Sequence, residues 1–180
     1  MLSKLSAGTT FLMVGTIEPR KGHEQVLKAF ELLRTQEKEV TLVIVGKKGW
    51  MVESTITRLQ KLQDNIHFFW LEGISDTLLE KVYAASTCLI AASEGEGFGL
   101  PLIEAAQHKL PIIARDIPVF REVACEHAYY FPNDNDPKVL AQTIIRWIDL
   151  YTTNTHPASD TMTWFTWEQN AQKLLGVFTR

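Results

Sequence analysis

Two stretches of this 180-residue chain combine residue types that can do chemistry: GTIEPRKG at 15–22 and SEGEGFGLPLIEA at 93–105. The second sets Gly95, Gly97 and Gly99 ahead of Pro101, which suits a first helical position. Glycine lets a backbone approach a ligand closely, and the free N–H groups of a helix start favour an anion such as phosphate. Glu96 falls in that loop and Glu104 in what the spacing predicts as the first turn of the helix, so both carboxylates can face one crevice. A carboxylate is suited to accept hydrogen bonds from sugar hydroxyls. Spacing alone equally allows Glu104 to complement the helix dipole and Glu96 to be solvated. In the first stretch, Arg20 and Lys21 concentrate positive charge in a chain whose net charge is −3, and a diphosphate suits such a pair. Lys47 and Lys48 stand at the same point after the second apolar run, where a solvated loop is the slightly better reading.

Several chemistries lose support. Gly46 to Gly49 lacks the Gly-Lys-Ser/Thr ending of a P-loop, and GTIEPRKG is no dinucleotide fingerprint. Ser93 is followed by Glu and forms no GxSxG, which argues against a hydrolase nucleophile. The histidines His23, His67, His108, His127 and His156 have no metal-ligand spacing and read as surface or structural residues. Cys88 and Cys125 lie far apart, outside any CxxC, as expected of a reduced, cytoplasmic chain. The balance of 18 Lys+Arg against 21 Asp+Glu argues against a nucleic-acid partner. The aromatic residues read mostly as packing, with Trp50 and Phe98 in loops and open to ligand contact.

The elements that hold these loops are legible as short apolar runs. FLMVG at 11–15, TLVIVG at 41–46, IHFFW at 66–70, TCLIAA at 87–92, PIIA at 111–114 and the weaker AYYF at 128–131 suit strands buried on both faces. Helix-length segments separate them. Val26, Leu27, Phe30 and Leu33 recur at helical spacing over His23–Arg34. Asp136 before Pro137 predicts an N-cap and a helix through Leu150; Thr166 with Gln169 predicts a capping box and a last helix through Val177. Between these helices, the stretch from Tyr151 to Thr163 reads as a surface loop. The alternation implies one α/β domain, a doubly wound parallel sheet with helices on both faces. In the strand order 3-2-1-4-5-6, ligands bind beyond the carboxyl ends of strands 1 and 4. The two unusual stretches follow those two strands.

VGTIEPRKGHEQVLKAF, LVIVGKKGW, GISDTLLEKVYAAS, EGEGFGLPLIEAAQHKLPIIA and TWEQNAQKLL together resemble the C-terminal, donor-binding domain of GT-B glycosyltransferases. Within these the chain most resembles the large retaining family four, which includes bacterial mannosyltransferases of lipopolysaccharide and capsule assembly. The resemblance covers nearly the whole chain, and its most specific part is the E-x7-E motif from Glu96 to Glu104. It implies that Glu104 holds the nucleotide ribose and that Glu96 contacts hydroxyls of the transferred sugar. It further implies that the backbone of Gly97, Phe98, Gly99 and Leu100 faces the sugar and diphosphate, and that Lys21 neutralises the leaving diphosphate. Many members carry an arginine directly after the glycine that matches Gly15; here Thr16 stands there, and Arg20 is expected to supply the charge. Arg20, Lys21 and Glu96 are thus the expected catalytic set. Ile74 and Ser75 match positions that pack the nucleotide base, although Ser75 also suits a helix cap.

The resemblance implies a hexosyl transfer, GDP-mannose being the preferred donor and UDP-linked hexoses next, to a glycan or lipid-linked acceptor. No cofactor is implied, because the nucleotide sugar is a substrate, and no metal, because no DxD-like cluster stands at the site. The family also needs an N-terminal acceptor domain, so residues 1–180 are expected to be a donor domain, inactive alone, of a protein working in the cytoplasm or at the inner membrane. On these roles, removing Glu96 leaves plain diphosphate binding nearly unchanged. A nucleotide-sugar epimerase and a non-catalytic nucleotide-sugar binding module stay open as alternatives.

Overall fold

The computed structural model describes residues 2–6, 8–164 and 167–178. In chain order the elements are α1 (Leu2–Leu5), β1 (Thr9–Val14), a 3-10 turn (Pro19–Lys21), α2 (His23–Thr35), β2 (Val40–Val45), α3 (Glu53–Leu62), β3 (Phe68–Leu71) and α4 (Asp76–Ala85). There follow β4 (Cys88–Ala91), α5 (Leu100–Gln107), β5 (Ile112–Arg115), α6 (Pro118–Ala124), β6 (Tyr129–Phe131), α7 (Pro137–Thr152) and α8 (Trp167–Phe178). All six apolar runs form strands of one parallel sheet in the order β3-β2-β1-β4-β5-β6.

The runs are apolar throughout because alternate residues serve opposite faces, and both faces are covered. Phe11, Leu42, Ile90 and Ile113 pack with Val26, Phe30, Leu59, Ile144 and Trp147, which belong to α2, α3 and α7. Leu12, Val43, Leu89 and Ile112 pack with Leu5, Val82, Leu102 and Phe120, from α1, α4, α5 and α6. A large apolar side chain buried this fully contributes about 1.5–3 kcal/mol through removal from water.

The helix starts follow the local chemistry. Asp136 Oδ1 accepts a hydrogen bond from the Lys138 N–H at 2.9 Å, with Pro137 directly after it. The predicted capping box cannot be compared, since Thr166 lies outside the described residues. The surface loop expected from Tyr151 is shorter: α7 runs on through Thr152, and further along Ser159 and Met162 are buried. Ser159 reaches inward to donate to the Leu110 carbonyl at 2.8 Å, so this segment seals an edge of the core. The short α1 was not signalled by any apolar period. Among the described residues no helix is long and apolar enough to cross a membrane.

Candidate functional site

At the carboxyl ends of β1 and β4 the connections depart in opposite directions, which opens a crevice between two loops. The loops are locked to one another. Gly22 adopts φ 75° and caps the start of α2, and a Cβ there would lie 2.3 Å from the Ala92 carbonyl oxygen. Only glycine fits both the left-handed backbone and the contact. One step further, the Glu94 N–H donates to the Arg20 carbonyl at 2.8 Å, and the Arg20 guanidinium donates to the Gly95 carbonyl at 2.9 Å.

This interlock brings Arg20, Lys21 and Glu96 together. Glu96 Oε1 accepts from the Lys21 ammonium and from Ser93 Oγ, the latter at 2.8 Å. Its Oε2 accepts from Arg20 Nη1 at 3.2 Å, while Arg20 Nε pairs with Glu18 at 3.1 Å. The Lys21 and Glu96 side chains are only 13% and 10% exposed, so Glu96 is not the solvated loop residue that spacing left open. Burial alone would raise the Glu96 pKa; hydrogen bonds from Lys21 and Ser93, the Lys21 charge and the Arg20 hydrogen bond outweigh it and hold the carboxyl below its usual range. A carboxylate so paired can stay ionised out of bulk water. Lys21 and Glu96 line a small cleft with Met13, Val14, Ser93, Pro101 and Phe120.

His23, the first residue of α2, is 2% exposed, and neither ring nitrogen has a partner in hydrogen-bond geometry. Burial pushes its pKa down to about 4; the nearby Glu18 backbone opposes this and the Lys21 charge adds to it. It is a structural residue, as expected, but a neutral and buried one.

On the other flank, Gly99 at φ 85° begins α5 with no side-chain cap, and Leu100 and Pro101 are its first two residues. Pro101 is thus second in the helix, not first. Phe98 and Leu100 are about half exposed, and Gly97 borders open space. The helix has no acidic residue in its first turn. Glu104 is therefore the fifth helical residue, one position further along than expected and just past the first turn, where it does less for the dipole. Its Oε2 accepts a hydrogen bond from the Tyr83 hydroxyl at 2.7 Å. Tyr83, on α4, is 2% exposed and stacks on His108 with ring centroids 5.0 Å apart and planes 5° from parallel. Burial, then the Glu104 charge and hydrogen bond, hold the phenol well above its usual pKa, so it remains a donor. The two carboxylates of the motif thus have separate partners.

The remaining expected positions surround these groups. Gly15 directly follows β1, with the Lys21 side chain 3.7 Å from where a Cβ would stand, and Thr16 is exposed. Ser75 Oγ accepts from the Leu78 N–H at 3.3 Å and caps α4, while Ile74 packs at the edge of the core. Lys47 and Lys48 are exposed, Lys48 Nζ lying 4.0 Å from Glu53. Among the described residues no cluster of three or more His, Cys, Asp or Glu forms a metal site.

Sequence reasoning missed Tyr83, Ser93 in its supporting role, and Arg115. Arg115 is wholly buried at the end of β5, donating to the Ala92 carbonyl at 3.0 Å, to Gln25 Oε1 at 2.6 Å and to the Asp134 carbonyl at 2.8 Å. It fixes Ala92, the residue against which Gly22 packs. The polar end of an apolar-face tyrosine, which must find a partner when buried, is the signal that points to Tyr83.

Comparison with known proteins gives a consistent result. Residues 4–160 match the family described as "Glycosyl transferases group 1". The chain is 52% identical over 176 residues to "Serotype-specific mannosyltransferase WbdA" of Escherichia coli, which covers 97% of this chain and 22% of that protein. It is 29% identical over 127 residues to "O-antigen chain mannosyltransferase B" of Escherichia coli, covering 69% of this chain and 33% of that one. The chain thus spans about a fifth to a third of the length of these relatives. Among solved structures, the C-terminal domain of a group 1 glycosyl transferase from Francisella tularensis aligns over 84% of this chain and 80% of its own, with TM-score 0.70 at 20% identity. Anabaena Alr3699/HepE, solved with UDP and glucose, aligns over 99% of this chain and 53% of its own, with TM-score 0.77 at 15% identity. At those identities the likeness is one of fold, that of the C-terminal half of a GT-B glycosyltransferase.

Proposed function

The chain belongs to the glycosyl transferases group 1 family, and from that premise we propose that it is the donor-binding part of a retaining mannosyltransferase that uses GDP-mannose to extend a surface polysaccharide. The relatives named as mannosyltransferases support the sugar. The observation that carries the reading is the cluster of Arg20, Lys21 and Glu96 at the point where β1 and β4 diverge.

In this reading the diphosphate lies between the two cations and the uncapped start of α5. The bond between the anomeric carbon and the diphosphate oxygen breaks, and a bond from that carbon to an acceptor hydroxyl oxygen forms as the hydroxyl's proton passes to the departing diphosphate oxygen. Negative charge grows on the departing diphosphate, where Arg20, Lys21 and the N–H groups around Gly99 and Leu100 are fixed in advance to receive it. Glu96 turns to hydroxyls of the sugar, and Glu104 holds the ribose. Ile74 lies against the base. The reading requires no metal, because the cations supply the neutralising charge. A single sheet edge gives one wall of a transfer site, and the acceptor wall comes from outside these residues.

The test is calorimetric titration of the protein with GDP, UDP and ADP, each with and without EDTA. GDP is expected to bind most tightly and equally well with the chelator. A requirement for magnesium, or binding of UDP tenfold tighter than GDP, overturns the assignment of metal or base respectively.

A further inference from the structure

Glu104 has a buried phenol as its partner in the structure, and no cation is bonded to it among the described residues. A carboxylate has two oxygens and turns freely about its last bond unless something fixes it. Here Oε2 is fixed by the Tyr83 hydroxyl at 2.7 Å. Tyr83 itself has little freedom: it is 2% exposed, it belongs to the core cluster that includes Leu89 and Leu102, and His108 stacks flat against it. His108 lies one turn beyond Glu104, at the C-cap of α5, so the helix that carries the carboxylate also clamps the ring of the residue that orients it. The phenol is neutral. It therefore fixes direction while leaving the full negative charge, Oε1 and the second lone pair of Oε2 for other donors. A lysine in the same place would neutralise that charge, as Lys21 does for Glu96.

We infer that Tyr83 is a positioning residue for ribose recognition, presenting Glu104 so that a vicinal diol of a ribonucleotide is held by the oriented carboxylate. The inference rests on the role of Glu104 given above and deepens it. Tyr83 lies in the last turns of α4, and its bond to Glu104 ties that helix to α5. The ribose contact is in this way built on α4 and α5, apart from the ion cluster proposed to face the diphosphate.

The test is a comparison of ligands as much as of proteins. Affinities of GDP and of 2′,3′-dideoxyguanosine diphosphate are measured for the wild type, Tyr83→Phe and Glu104→Ala, with inorganic pyrophosphate as a third ligand; the UDP pair is run beside them. A charge-assisted hydrogen bond is worth roughly tenfold or more in affinity, so the wild type should prefer the ribose form by about that factor. Tyr83→Phe should shrink this preference about threefold or more and leave pyrophosphate unchanged, because only the aim of the carboxylate is lost. A merely structural role would weaken all ligands alike. An unchanged preference in Tyr83→Phe, with a preference that collapses in Glu104→Ala, overturns the inference and spares the Glu104 assignment. An unchanged preference in Glu104→Ala overturns both.

Discussion

Glu96 and Glu104 are the same residue type on one loop-and-helix unit, yet the fold treats them in opposite ways. Glu96 is neutralised by Lys21 and Arg20 and steadied by Ser93. Glu104 is aimed by a neutral phenol and keeps its charge. The difference lies in what each partner does when a ligand arrives. On the proposed reading a diphosphate competes with Glu96 for the cations, so that flank has to rearrange its pairs. Nothing on the Tyr83 flank has to let go.

The largest expected effect separates the two flanks by pH. His23, two residues beyond Lys21 and buried, has a pKa lowered to about 4 from 6.5. The unfolded chain takes up a proton there as pH falls through 6.5, while the folded chain resists until about 4. Stability is therefore complete above the unfolded value and is lost on the way down, by about 3 kcal/mol in all. Urea melts of the wild type and His23→Gln between pH 7 and pH 4 should show a flatter acid limb in the variant. Tyr83→Phe, on the other flank, should keep the wild-type slope; if it flattens equally, the two flanks are not independent.

A smaller effect concerns the cation. Lys21→Met removes a charged hydrogen-bond donor and should weaken both GDP and pyrophosphate by about tenfold or more. Glu104→Gln should weaken GDP alone. Parallel loss of pyrophosphate affinity in the two variants, measured by calorimetry, would contradict the division of labour.

The smallest effect carries the most informative sign. Roles taken from the sequence leave plain diphosphate binding nearly indifferent to Glu96. With Lys21 bonded to that carboxylate, Glu96→Gln instead frees the cations and should tighten pyrophosphate binding by about threefold, a fraction of a charged pair. Binding that weakens would mean Glu96 organises the cations more than it competes for them.

The sheet order and the two facing loops were legible because each rests on a local property. Strands such as Leu42–Val45 are apolar at every position, and GTIEPRKG and SEGEGFGLPLIEA stand out in composition. What was not legible depends on contacts between distant elements. Tyr83 and Glu104 are 21 residues apart on different helices, and Arg115 and Gln25 are 90 apart on a strand and a helix. No period or motif relates such pairs. Ser93 illustrates the same limit: its neighbours excluded a nucleophile, but only the turn of the loop from Ser93 to Glu96 gave its hydroxyl a task.

The pairing of Glu96 with Lys21 also bears on which anions the crevice admits. A carboxylate tethered three residues from Ser93, on a loop closed against Arg20 and Gly22, presents itself to the ammonium at an effective concentration far above that of any dissolved ion. Simple anions, inorganic phosphate among them, meet an intramolecular rival that costs almost no entropy to bind. In the proposed function a nucleoside diphosphate sugar brings several anchors at once, and its sugar would give the displaced carboxylate new hydrogen bonds. On that reading the cluster would act as a threshold, set by the chain's own anion, that favours ligands able to replace every contact they disrupt.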